Sequence, residues 1–223
     1  MDEKDIVGIM EKFKSNLFSQ ACYKNDFKSV QNMYLSEPQF YSKEIINGLD
    51  CAIDQGNFEI VKFLVEQSPD IVKKTPNLIL SAAREGHLNL VEYLHKNGAD
   101  INTDNEIFVT AAKFGKLDVV QYFFENGVDI TKQNNTALRK SAHYNKLEVV
   151  KFLVENGANI HAKNDEAVKF SAKSAYFEQL DYLLQQGGNQ EIAEKYGSPK
   201  VQAWLLDREL SSELKPKINK PKI

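Results

Sequence analysis

The sequence predicts an all-α protein, a solenoid of stacked helix-turn-helix units joined by short extended fingers. Three observations predict it. The first is self-similarity: GHLNLVEYLHKNGADI from Gly86 can be written over GKLDVVQYFFENGVDI from Gly115 and NKLEVVKFLVENGANI from Asn145. Weaker copies start at Asn25, Gly56 and Ala175, so the anchors are spaced by 31, 30, 29, 30 and 30 residues. That period belongs to a stacked array, not to one globular core. The second observation is an apolar residue followed three and four places later by small ones, as in Ile79, Ala82 and Ala83, Phe108, Ala111 and Ala112, or Leu138, Ser141 and Ala142. This is one face of a short first helix that a neighbouring unit approaches closely. The third is a second helical stripe after each anchor, such as Leu117, Val120, Phe123 and Phe124, closed by Gly98, Gly127, Gly157 or Gly187. A glycine there supplies the positive φ of a helix C-terminal cap.

The elements follow in chain order. Residues 1–14 read as an N-terminal capping helix, because Ile6, Val7, Ile9, Met10 and Phe13 alternate with Glu11, Lys12 and Lys14. That pattern is amphipathic and lacks the uninterrupted apolar stretch of a signal peptide. Residues 15–206 hold about six repeats and a truncated closing unit. Each anchor is mostly Gly or Asn, which tolerate the left-handed turn between two antiparallel helices. Stretches such as Ala99 to Asn102 and Ala158 to His161 are too short for a third helix and read as the fingers. The segment from Gly197 to Leu206 fits the second-helix pattern, with Trp204 covering the last apolar surface. Residues 207–223 read as a basic, disordered tail, since Lys215, Lys217, Lys220 and Lys222 alternate with Pro216 and Pro221.

Helix, tight turn, helix and finger, with the strings GHLNLVEYLHKNGADIN and NKLEVVKFLVENGANIHAKND, resemble the ankyrin repeat from about Ser15 to about Leu206. The usual period of that family is near 33 residues, so these units are shorter, and its Thr-Pro-Leu-His turn survives only as Thr136 to Arg139. The short units look most like ankyrin proteins abundant in amoebae and in the giant viruses that infect them. The resemblance implies a monomeric, non-enzymatic scaffold that binds a protein partner in a concave groove. It also implies a cytoplasmic setting, the host cytoplasm if the protein is viral, with the nucleus as a second possibility. An alternative within the same family is a viral-type adaptor that recruits a host target to a ubiquitin ligase, although neither end carries a Leu-Pro-x-Glu motif.

Composition limits the partners. The chain of 223 residues is 42% hydrophobic and 26% charged, enough to bury a continuous core, and its formal net charge of −3 gives no general pull toward nucleic acid or membrane. Cys22 and Cys51 lack any paired spacing and read as reduced side chains. His87, His95, His143 and His161 occupy four different repeat positions, so they do not converge on a metal or a catalytic centre. No catalytic residue, metal site or cofactor is expected.

The resemblance places the two residues before each anchor on the groove, and here they vary from unit to unit while the small residues before them do not. They are Tyr23 and Lys24, Asp54 and Gln55, Arg84 and Glu85, Lys113 and Phe114, His143 and Tyr144, and Lys173 and Ser174. Phe114 and Tyr144, rimmed by Arg84, Lys113, Arg139, Lys140, His143 and Lys173, form the candidate partner-binding set. Aromatics with a basic rim are typical of interaction hot spots.

Overall fold

The computed structural model describes residues 3–102 and 105–213. The chain divides into two compact units, Met1–Val128 and Asp129–Ile223. Among the described residues there is no strand, and no helix is long and apolar enough to cross a membrane.

The first unit contains four helix pairs: α1 (Glu3–Tyr23) with α2 (Phe27–Ser36), α3 (Pro38–Asp54) with α4 (Phe58–Gln67), α6 (Asn77–Glu85) with α7 (Leu88–Lys96), and α8 (Glu106–Phe114) with α9 (Leu117–Glu125). A single extra turn, α5 (Ile71–Lys74), bridges the second pair to the third. The first helices α1, α3, α6 and α8 pack in sequence against one another, and α2, α4, α7 and α9 form the layer behind them. The second unit repeats the plan with α10 (Lys132–His143) and α11 (Leu147–Glu155), α12 (Ala162–Lys173) and α13 (Phe177–Gln185), and α14 (Gln190–Tyr196) and α15 (Pro199–Glu213). There α12 stacks between α10 and α14, while α11 lies against α13.

The core follows the period read from the sequence. Eight residues after successive anchors stand Leu64, Leu94, Phe123, Leu153 and Leu183, all fully buried or nearly so. Full burial of such a side chain stabilises by about 1.5–3 kcal/mol. The small residues are equally sealed: Ala82, Ala83, Ala111, Ala112, Ser141, Ala142, Ser171 and Ala172 expose no surface. Each second helix closes in the same way. At Gly98 (φ +98°) the amide of Ala99 donates back to Leu94 O at 3.0 Å, and Val128, Ala158 and Gly188 repeat that bond to Phe123, Leu153 and Leu183. This is the Schellman closure, which satisfies carbonyls that a helix end leaves open.

The ends differ from the sequence reading in two respects. The first helix has no break near residue 14. It runs on to Tyr23, burying Phe18, Ala21 and Cys22 while Ile6, Ile9, Met10 and Phe13 stand exposed. At the other end α15 continues through residues 207–213, where the sequence reading expects the tail, with Val201 and Leu205 anchoring it in the core. The lysines at 215, 217, 220 and 222 lie outside the described residues. Trp204 meets the ring of Phe177, centroids 5.5 Å apart.

The fingers also depart from a simple extended run. In the second unit Gln133, Asn134 and Asn135 have φ of +54°, +57° and +57°, and Lys163, Asn164 and Asp165 repeat this at +54°, +57° and +55°. Three successive left-handed residues cost about 1–2 kcal/mol each for ordinary side chains. The turns hold because they aim buried acceptors at the next repeat. Asn135 Oδ1 takes the amide of Asn159 at 2.9 Å, and Asp165 Oδ1 takes that of Asn189 at 3.0 Å.

Candidate partner-binding row

The candidate row is a consequence of helical phase. Each residue turns a helix by about 100°, so the two residues before the anchor leave the packed face on which the small pair lies. Phe114 is 42% exposed and Tyr144 43%, whereas Ala111, Ala112, Ser141 and Ala142 are fully buried. Phe114 belongs to the first unit and Tyr144 to the second.

In the first unit Lys113 sits over the Phe114 ring, Nζ 5.1 Å from its centroid. Arg84 is committed inside the protein: it donates to Glu85 at 2.7 Å and to Asp54 at 3.2 Å. The Glu85 hydrogen bond, with the charges of Glu85 and Asp54, holds the guanidinium above its ordinary range.

In the second unit His143 is the hub of an aromatic row. Its ring meets Phe170 edge-on, centroids 4.3 Å apart, and Tyr144 at 4.9 Å. Arg139 is drawn away from solvent by an ion pair with Glu166, and its Nη1 also donates to Thr136. Lys140 stays exposed. Lys173 leans toward Tyr196, Nζ 5.8 Å from the ring centroid, and Lys169 and Lys195 approach the same ring at 4.4 and 5.5 Å. Thus His143, Tyr144 and Lys173 share one stretch of the second unit, while Arg139 serves as a tie between repeats.

Phe170, Lys169, Lys195 and Tyr196 were not singled out from the sequence. The signal for the last two was available, because Lys195 and Tyr196 directly precede Gly197, the anchor of the closing unit. Phe170 and Lys169 lie one turn earlier on α12, outside the two-residue window.

The four histidines each have a local role. His87 Nε2 lies 3.5 Å from Asp54 O and its ring covers Gly56, while His95 Nδ1 and the Tyr122 hydroxyl share a 2.8 Å hydrogen bond. His161 Nδ1 pairs with Asp165 Oδ1 at 2.9 Å. Among the described residues no three His, Cys, Asp or Glu side chains gather as a metal site. Burial pushes the Cys22 thiol up to about 12 and raises that of Cys51 as well, the opposite of what a reactive cysteine requires. An open groove of about 900 Å³ lies between α1 and the start of α3, lined by Val7, Met10, Lys14, Pro38, Phe40 and Lys43 among others. It holds no nucleophile and base pair, and its lining includes none of the candidate partner-binding residues.

Comparison with known proteins agrees with this architecture. The family described as Ankyrin repeats (3 copies) matches residues 18–105, 79–164 and 107–196. Among solved structures, the human ASB11 ankyrin repeat domain is similar, with a TM-score of 0.69 and 19% identity over 85% of this chain and 96% of that one. No curated protein matches.

Proposed function

The chain belongs to the ankyrin-repeat family, and we propose that it is a monomeric, non-enzymatic cytoplasmic scaffold that binds one protein partner through the pre-anchor row. The reading is carried by one observation: large aromatic side chains stay 42% and 43% exposed at Phe114 and Tyr144, immediately beside positions that are sealed in every repeat. Exposed aromatics beside basic side chains are of the residue types enriched at protein interfaces. In the second unit His143 and Phe170 continue the aromatic surface from Tyr144. Affinity then comes from a few central side chains on a stiff backbone, and no bond is made or broken.

The test is truncation. With a partner captured from lysate, F114A and Y144A together weaken binding by more than about 2 kcal/mol, the hot-spot scale, and leave the helical circular dichroism intact. Substitution of Glu92 and Lys151 on second helices changes neither. Equal losses from the two pairs would sink the proposal.

A further inference from the structure

Three lysines converge on a single ring in the second unit. Lys169 and Lys173 stand one turn apart on α12, and Lys195 precedes Tyr196 on α14, the helix stacked beside it. Their Nζ atoms all lie within 5.8 Å of the Tyr196 centroid. The ring attracts each cation, but ammonium groups gathered around one ring repel one another, since the screening length is about 8–10 Å.

No carboxylate among the described residues lies within ion-pair distance of the three. Of the neighbouring acids, Glu166 is engaged by Arg139, Asp165 by His161 and the Asn189 amide, Glu194 by Gln190 and Asp181 by Arg208, while Glu191, one turn before Lys195 on α14, makes no ion pair with it. A lysine cluster without an ion-paired carboxylate among the described residues is complementary to concentrated negative charge from outside. Lys169 already covers the face of Tyr196, so the ring offers no platform for stacking a nucleic-acid base, which non-specific single-strand binders need. Beside the cluster, Phe170 and His143 supply an aromatic edge suited to a polypeptide.

We propose that Lys169, Lys173 and Lys195 form the docking point for an acidic protein segment, a run of clustered Asp and Glu side chains whose carboxylates replace the missing counter-charge. This rests on the reading of the pre-anchor row as the partner surface and names the chemistry of its second-unit part.

The experiment uses the full chain and fluorescence anisotropy with a labelled Asp/Glu-rich peptide, its Asn/Gln counterpart and an oligothymidylate of equal charge. The acidic peptide binds, its neutral counterpart does not, and rising salt weakens the complex. The triple variant K169Q/K173Q/K195Q loses about tenfold or more in affinity, the sum expected of three modest charge contacts, with an unchanged thermal midpoint. If the triple variant melts early, K173Q and K195Q, both exposed, carry the test singly. No binding by the native chain, equal binding of the neutral peptide, stronger binding of the oligothymidylate, or full affinity in the lysine variants overturns the proposal. Loss through H143A and Y144A but not through the lysines discards the docking point and keeps the row. Loss only through K62Q and K96Q, on second helices of the first unit, discards both.

Discussion

The two units build the same helix pair with different turn chemistry. In the first unit the turn between helices is made at Asn25, Gly56, Gly86 and Gly115, whereas in the second it is made at Asn145 and Ala175 with φ of +53° and +54°. The difference lies in what covers the turn. A Cβ at Gly56 would stand 2.8 Å from the His87 ring, and one at Gly86 would stand 2.6 Å from Lys116 Cδ. The residue after each of those next anchors folds back over the preceding one, so glycine there answers both a φ and a volume constraint. Asn145 and Ala175, like Asn25 in the first unit, keep a Cβ and accept the strain. The second unit also spends strain in the left-handed turns at 133–135 and 163–165, recovered through Asn135 and Asp165. Left-handed turns are therefore specified at Gly56 and Gly86 by removing a side chain and at Asn135 and Asp165 by tying one down.

The largest expected effect is one the two units should share. Leu94 and Leu153 occupy the same repeat position, both with no exposed surface. L94A and L153A should each cost about 2–5 kcal/mol in urea denaturation, while L210A, at a residue 51% exposed, costs much less. A small loss at only one of the two buried leucines would break the equivalence of the units.

The next effect separates them, because both cysteines lie in the first unit. Burial raises the folded Cys22 thiol from 9.0 to about 12, so the folded state keeps its proton where the unfolded chain has lost it. Stability from this group is complete below pH 9 and is lost as pH rises from 9 toward 12. Alkaline unfolding followed by hydrogen exchange should therefore begin in the first unit, and C22A should flatten the pH dependence. Alkaline loss confined to the second unit would contradict this origin.

Asn135 and Asp165 test the other side of the comparison. N135A and D165A each leave a backbone amide of the next repeat without its acceptor, which costs about 1–3 kcal/mol. Protection of the Asn159 and Asn189 amides from exchange should fall with it. Unchanged protection would mean that the left-handed turns hold themselves.

How far the sequence foretold this follows from the same residues. The helix pairs, the anchors and the second-helix caps are set by local rules, apolar period and φ tolerance, and the structure places them where the period does. The left-handed turns are not local. Gln-Asn-Asn at 133–135 and Lys-Asn-Asp at 163–165 contain residue types that tolerate positive φ, but their conformation is fixed by amides 24 residues further on. The helical continuation through 207–213 depends on burial of Val201 and Leu205 against the preceding repeat, which a compositional reading of the lysines beyond it does not register. In the candidate row, exposure of Phe114 and Tyr144 was legible from phase. Capture of Arg139 by Glu166, two residues 27 apart, was not.

The smallest effect gives the sharpest contrast, since opposite substitutions at equivalent anchors should have opposite signs. Ala175 holds φ +54° with a methyl group, a conformation costing about 1 kcal/mol that glycine does not bear. Glycine also adds freedom to the unfolded chain, which offsets up to about 0.4–1 kcal/mol of the gain. A175G should therefore stabilise by a few tenths to about 1 kcal/mol. G86A imposes the same strain in the first unit and must displace the Lys116 stem as well, so it should destabilise by about 1–2 kcal/mol. Combining G86A with K116A removes the crowding and leaves the φ cost alone, which separates the two constraints by a double-mutant cycle. If A175G destabilised the protein, the methyl group would be making a packing contact that outweighs its strain, and the two units would differ in more than the chemistry of their turns.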